Sequence, residues 1–302
     1  MDYKARYLAF LKPFSHFEGL RVGVDCSNGM ASLLARELFP GAEIINDTMD
    51  GNFPAHSPNP LNPEARRQIA ELVRAKRLDC GVIFDGDADR CMFVDEKGEF
   101  VQPDYLIPFI FDGHVEGERG RVIHDVRTSR GTTDYLREQG YEPVMVPVGH
   151  AFAKPILREV GAVGGGELAG HYYFADFHGC DSGALAAIRI LNSAAAAKRD
   201  GKSFSEMVAP VAKKYANSGE RNYRIEDKDG AMARIRARVK NNWPCRGGEV
   251  ENNMDGYRWD WAEGWVSVRK SNTEPYLRLL VECDTVERMN EWIREIEGVI
   301  GV

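Results

Sequence analysis

Three carboxylates at alternate positions, Asp85, Asp87 and Asp89, lie in the run Asp85-Gly86-Asp87-Ala88-Asp89-Arg90. On a turn, carboxylates at i, i+2 and i+4 can converge on one hard cation through oxygen ligands. Like charges this close are costly unless a cation neutralises them, which favours a metal over an acidic surface loop. Gly86 and Ala88 keep the turn tight. A calcium-binding EF-hand is the sharper competitor, because Glu96 falls where the twelfth ligand of such a loop belongs. Arg90, however, stands at the sixth position, where that turn needs glycine. The flanks Gly81-Val82-Ile83-Phe84 and Cys91-Met92-Phe93-Val94 also read as strands rather than helices.

Three further stretches carry chemistry. In Gly164-Gly165-Gly166-Glu167-Leu168-Ala169-Gly170-His171, glycines allow a backbone to approach a ligand closely. Glu167 can accept two hydroxyl hydrogen bonds, which suits a sugar diol, and His171 can donate to an oxygen or move a proton near pH 7. The bland alternative is a glycine-rich turn with an incidental histidine. Arg269-Lys270-Ser271-Asn272-Thr273-Glu274-Pro275 gathers cations, hydroxyls and backbone N–H groups into an anion cradle, with a polar hairpin as its alternative. Asp125-Val126-Arg127 and Val148-Gly149-His150-Ala151-Phe152-Ala153-Lys154 each follow an expected strand end. Arg127 and His150 can therefore face one cleft, with Lys154 one helical turn beyond His150. Singly these are weak, since a histidine opening a helix is more often structural.

The elements that must position these loops repeat a pattern. Arg21–Cys26, Glu43–Ile45 and Asp79–Phe84 read as strands, separated by a helix through about Leu38 and another over Pro63–Ala75 with Ile69, Leu72 and Val73 as its apolar stripe. Four prolines make 52–63 a loop. The pattern restarts with strands Arg121–Asp125, Glu142–Val146 and Ala162–Gly165, helices Ser129–Gln139 and Ala151–Glu159, and a long Ala-rich helix Asp181–Lys198. After about Ala212 come strand-like runs Tyr257–Trp261, Trp265–Arg269 and Tyr276–Cys283 and an amphipathic helix Val286–Ile296. The expected architecture is two consecutive α/β domains of similar plan, with mixed or parallel sheets, followed by a smaller α+β domain. The expected boundaries are 1–113, 114–213 and 214–302, packed tightly because no low-complexity linker separates them.

Length and composition set the frame. A chain of 302 residues exceeds one ordinary core, and its 43% hydrophobic and 28% charged residues are those of a globular protein. The net charge of -7 argues against nucleic acid as the main partner while leaving room for a small anion in a local basic pocket. No stretch approaches the roughly 18 apolar residues of a membrane span, and the N-terminus lacks a signal-peptide pattern. Six scattered cysteines form no CxxC pair, so buried free thiols in a reducing cytoplasm are expected.

Taken in order, the loops resemble those of the α-D-phosphohexomutase superfamily of phosphomannomutases and phosphoglucomutases. The family motifs are D-G-D-x-D-R, G-E-x-S-G-H and R-x-S-N-T-E-P, and the chain matches the second, third and fourth of the family's four domains. The resemblance implies that Asp85, Asp87 and Asp89 ligate Mg²⁺ and that Arg90 contacts the phosphoryl group in transfer. It implies that Glu167, Gly170 and His171 hold the sugar. Arg269, Ser271, Asn272 and Thr273 would hold the phosphate that is not reacting, and Arg127 and His150 would line the same cleft. The substrates implied are glucose or mannose 1- and 6-phosphates. Ala169 stands where the family usually has Ser, which removes one hydroxyl contact and puts the sugar preference in doubt.

A family phosphoserine loop of the type T-A-S-H-N-P does not occur in the sequence. Ser15-His16-Phe17 and His56-Ser57-Pro58-Asn59-Pro60 are only superficially similar to it. The expectation is therefore a mutase body whose phosphoserine domain is absent, with little or no turnover alone and with a separate serine-bearing domain as a partner. The alternative is a non-catalytic sugar-phosphate binding or regulatory protein.

Overall fold

The computed structural model describes residues 2–111, 119–243, 250–271 and 275–301. Short, apolar, fully buried runs form the central strands of the first unit. β1 (Val22–Asp25) pairs in parallel with β2 (Glu43–Ile45) and β3 (Cys80–Phe84). β4 (Cys91–Val94) and β5 (Phe100–Val101) then add antiparallel. The sheet order is β2-β1-β3-β4-β5.

In the second unit β6 (Arg121–Asp125) pairs in parallel with β7 (Glu142–Val146) and β8 (Gly164–Gly166), and β9 (Tyr172–Phe174) and β10 (Cys180–Asp181) again add antiparallel. Its order, β7-β6-β8-β9-β10, repeats that of the first. Both sheets are thus mixed, and the third strand of each leads into a tight connection to the fourth. That connection carries residues 85–90, the candidate metal loop, in one unit and residues 167–171, the candidate sugar loop, in the other.

Helices cover these sheets. α1 (Tyr3–Leu11) and the short α2 (Ala35–Leu38) belong to the first unit, with α3 (Arg67–Lys76), which buries Ile69, Ala70 and Val73 against β1 and β3. α4 (Arg130–Glu138) and α5 (His150–Glu159) belong to the second. α6 (Gly183–Arg199) is buried along most of its length, as its Ala-rich, all-round apolar sequence requires. It packs against β4, the 3₁₀ segment Pro103–Ile110 and α7 (Phe204–Ala212), so one core runs through both units. No helix among the described residues is long and apolar enough to cross a membrane.

Asp104, in that 3₁₀ segment, has one carboxylate oxygen on the Ser129 N–H at 2.9 Å, and the other has no partner among the described residues. Burial, with Glu282 and Asp125 nearby, pushes it up to about 7. A carboxyl raised on folding keeps its proton between about pH 4 and 7, where the unfolded chain has lost it. Stability from this group therefore falls as pH rises through that window. Asp104→Asn, a neutral isostere, is expected to remove most of that loss, so that urea unfolding at pH 5 and pH 8 gives closer midpoints than in the parent chain.

The C-terminal unit is an antiparallel sheet. β16 (Tyr276–Cys283) pairs with β11 (Ala216–Asn217), β12 (Arg221–Arg224) and β15 (Gly264–Lys270), which leads outward to β14 (Tyr257–Trp261) and β13 (Val250–Asn252). One face packs under α8 (Lys228–Asn242) and α9 (Val286–Ile300), where Trp243, Trp261 and Trp292 meet at 5.1–5.5 Å between ring centroids. The other face presents Trp265 and Leu280, which enclose Leu168 of the second unit. Polar anchors complete the join. Arg130 donates to the Trp261 carbonyl at 2.7 Å, Arg258 to the Val126 carbonyl at 2.6 Å, and Glu282 accepts from the Arg130 N–H at 2.7 Å.

Candidate active site

β1 and β6 both end in a buried aspartate, and each aspartate accepts the backbone N–H two residues on: Ser27 to Asp25 at 2.8 Å and Arg127 to Asp125 at 2.7 Å. β3 and β8 both run into an acid, Asp85 and Glu167. The metal loop and the sugar loop are therefore the same turn of the repeated plan, at the carboxyl ends of the parallel strands where open α/β sheets take ligands. The two turns meet. Arg90 and His171 form a β-bridge, and the Cys91 N–H donates to the Gly170 carbonyl at 3.3 Å, with Gly170 in the left-handed region at φ +88°.

In the metal loop Asp85 is 1% exposed and accepts the Arg90 backbone N–H at 3.1 Å and its Nε at 2.7 Å. Burial pushes Asp85 up to about 6, with Arg90 partly offsetting it. Asp89 lies 3.8 Å from the same guanidinium, and Asp87 is exposed. Ala88 adopts φ +63°, which folds the loop back, and the Met30 N–H braces it through the Gly86 carbonyl at 2.9 Å. Carboxylate oxygens of Asp85, Asp87 and Asp89 come within 4.8 Å of one another, a spacing that suits a hard divalent cation after small rotations. Glu96 is elsewhere: it accepts the N–H and hydroxyl of Ser205 at 3.0 and 2.7 Å, next to the start of α7. With strands on both flanks, the loop is no EF-hand.

In the sugar loop Glu167 is buried, and burial and the Asp125 charge raise it above the usual carboxylate range. The Tyr173 hydroxyl donates to its Oε1, so Oε2, 4.0 Å from Arg127, is the oxygen left for a ligand. Burial alone would pull the His171 imidazole down. The Asp181 hydrogen bond at 3.1 Å and the charges of Glu167 and Asp89 outweigh it and hold His171 above its ordinary value. Asp181 in turn is drawn to about 2, against its own burial, by His171 and by Lys154, whose Nζ is 2.8 Å away. The His150 ring lies 5.7 Å from that of His171, so these two histidines do share one place.

Gly164, Gly165 and Gly166 do not line a ligand. They form the buried strand β8, where a Cβ at Gly165 would sit 2.1 Å from the Ile123 carbonyl oxygen.

Arg127 is locked to Asp125 at 2.7 Å and lies 3.6 Å from Glu220. Burial would lower its guanidinium, but Asp125 more than compensates, and Arg127 stays charged. Glu220 also approaches Arg269 at 4.0 Å and Arg278 at 3.3 Å, tying the cradle strand to the second unit. Arg269 pairs with Asp255 at 2.8 Å, and the buried Ser271 has its carbonyl on Lys228. Asn272 and Thr273 lie outside the described residues. A cavity of about 490 Å³ opens between Arg127, Leu168, Ser218 and Glu220, with Arg66 and Phe100 on its far side.

Sequence reasoning misses Asp181, Tyr173, Glu220 and Asp255. Asp125, closing β6, accepts the Leu168 N–H at 2.9 Å and so holds the sugar loop in place. Tyr173 lies six residues from Glu167 but carries no motif of its own, and nothing local marks Glu220, whose arginine partners are distant in sequence.

The comparisons fit this geometry. Family models described as phosphoglucomutase/phosphomannomutase alpha/beta/alpha domain II, alpha/beta/alpha domain III and C-terminal domain match residues 5–98, 103–215 and 220–299. The chain belongs to the phosphoglucomutase/phosphomannomutase family. A phosphomannomutase of Methanocaldococcus jannaschii is 34% identical over 286 residues, covering 93% of this chain and 61% of the relative. A Vibrio cholerae phosphomannomutase is 32% identical, covering 99% and 65%. A phosphoglucomutase/phosphomannomutase family protein from Burkholderia thailandensis superposes with a TM-score of 0.84 at 27% identity, over 99% of this chain and 65% of that one. The chain thus spans under two thirds of the length of these relatives.

Proposed function

We propose that these 302 residues are the metal- and substrate-binding body of a phosphohexomutase. The reaction moves a phosphoryl group between C1 and C6 of a glucose or mannose phosphate through a bisphosphate. The observation that carries this reading is the junction of the two equivalent turns, which sets a metal-ligand loop beside an acid–histidine loop. Within it, domains 1–113, 114–213 and 214–302 supply the metal, sugar and phosphate loops. Asp85, Asp87 and Asp89 hold Mg²⁺, which when bound supplies charge neutralisation at the phosphoryl group. Arg90 contacts that group. Glu167 takes sugar hydroxyls through Oε2, beside Gly170 and His171, while Arg127 and His150 line the cleft. Arg269, Ser271, Asn272 and Thr273 hold the idle phosphate, which is catalysis by positioning. A reducing cytoplasm suits the buried cysteines Cys26, Cys80 and Cys91.

The phosphoryl donor in this reading is a serine outside these residues. Given glucose 1-phosphate, glucose 1,6-bisphosphate and Mg²⁺, the 302 residues alone are expected to form no glucose 6-phosphate above background, and a relative's serine-bearing domain added in trans restores turnover. Sustained turnover by the 302 residues alone overturns the external donor. Calorimetric binding of the bisphosphate without restorable turnover identifies a binding or regulatory protein instead. Arg269→Ala is expected to weaken bisphosphate binding roughly tenfold or more, the worth of one charged hydrogen-bonding group. Calorimetry with the same ligand reads it directly.

A further inference from the structure

One side of the paired turns gathers residues of the proposed cleft into a second ligand set, a grouping that phosphoryl transfer does not require. Asp89, His150, His171 and Asp181 each offer a ligand atom within 4.8 Å of the other three. Asp89 comes from the first unit and the other three from the second, at the start of α5, in the sugar loop and in β10. Three independent elements thus aim two imidazoles and a carboxylate at the metal loop's last aspartate. His171 Nδ1 lies 3.1 Å from Asp181 and 3.8 Å from Asp89, and His150 is exposed and can turn inward. The set already draws a cation, since Lys154 holds Asp181 at 2.8 Å.

Its chemistry differs from that of the three-aspartate loop. Mg²⁺ takes oxygens and prefers carboxylates and water. Two imidazoles with two carboxylates form a four-coordinate set for a borderline ion, and Zn²⁺ binds nitrogen at about 2.0–2.1 Å in such sets.

We propose that Asp89, His150, His171 and Asp181 form a second divalent-metal site, selective for Zn²⁺ and sharing Asp89 with the three-aspartate loop. Zinc there displaces the Lys154 ammonium from Asp181 and clamps the two α/β units together through their equivalent turns. Because Asp89 is shared, zinc also withdraws one oxygen ligand from the neighbouring site. The proposal stands apart from the phosphoryl-transfer reading and can fail without it.

The test titrates ZnCl₂ into the full chain in the presence of excess Mg²⁺, by calorimetry. The expected result is one zinc per chain that millimolar Mg²⁺ does not displace. His150→Gln, at an exposed position that folding tolerates, weakens it by roughly tenfold or more, the scale of disturbing a zinc ligand sphere. Asp87→Asn, which touches only the other loop, retains it, as does Cys180→Ser, which controls for the nearby half-buried thiol. Co²⁺ in the same site gives visible d–d absorption that His150→Gln abolishes. Absence of zinc binding overturns the proposal. So does zinc that is lost in Asp87→Asn and kept in His150→Gln, which belongs to the three-aspartate loop, or zinc unaffected by either change.

Discussion

Asp87→Asn is expected to weaken Mg²⁺ binding by about 10–100-fold and to leave the fold intact. The asymmetry of the metal loop makes Asp87 the informative position. Asp85 and Asp89 already face the Arg90 guanidinium, at 2.7 and 3.8 Å, so removing either carboxylate also disturbs an ion pair. Asp87 is exposed and makes no ion pair among the described residues, so its substitution subtracts a metal ligand and little else. Affinity of such sites for hard cations follows the number of charged oxygen ligands. Isothermal titration with MgCl₂, alongside a thermal melt without metal, separates the two effects. Unchanged affinity would place the metal elsewhere; a lowered melting point without metal would give Asp87 a structural role.

The second large effect concerns β8. At Gly165 an added Cβ would lie 2.1 Å from the Ile123 oxygen and 2.4 Å from its Cγ1, on the paired neighbouring strand. Backbone cannot yield there without shifting the centre of the second sheet. Gly165→Ala is expected to cost about 3 kcal/mol or more, the upper part of the overpacking range. Gly51, with nothing within 4 Å of its would-be Cβ, is the control, and its alanine variant should stay within about 0.5 kcal/mol. Urea unfolding of both variants measures the difference. A Gly165→Ala cost near the control's would mean that β8 slides to make room, and the sugar loop with it.

These glycines also mark where sequence stops being informative. In a linear reading, three consecutive glycines before an acid and a histidine look like a ligand-hugging loop. Only the sheet reveals that Gly164, Gly165 and Gly166 lie between β6 and β9. The central strands were legible because burial on both faces leaves continuous apolar runs, as in Val22–Asp25 and Cys80–Phe84. α6 was legible from its alanines, and three strands of the C-terminal unit from their strand-like runs. α7 is harder to read. Its capping box of Ser203 and Glu206 is a sound start signal, but Pro210 inside the helix interrupts the pattern. α8 hides for another reason: its charged residues surround the few apolar ones, Met232, Ile235 and Val239, that reach the core.

For the candidate site, the residues within each short motif could be picked out because chemistry and spacing coincide within a few positions. The pairing of Arg127 with Asp125 was within reach for the same reason. Asp181 behind His171 depends on the turn between β9 and β10, which spacing alone does not reveal. Glu220 among three arginines depends on contacts with elements far away in the chain, and no short window contains Glu220 with any of them.

The way the three units are joined has a mechanical consequence. The metal turn and the sugar turn share main-chain hydrogen bonds, and a common core runs beneath them. The C-terminal unit meets them through Arg130, Arg258, Glu282 and the Leu168 contact, and among the described residues no main-chain to main-chain hydrogen bond crosses that join. The three units thus form two walls cast as a single piece and a third hung on side chains. A load on the molecule would therefore part side-chain contacts at that join before it parted the main chain shared by the first two units.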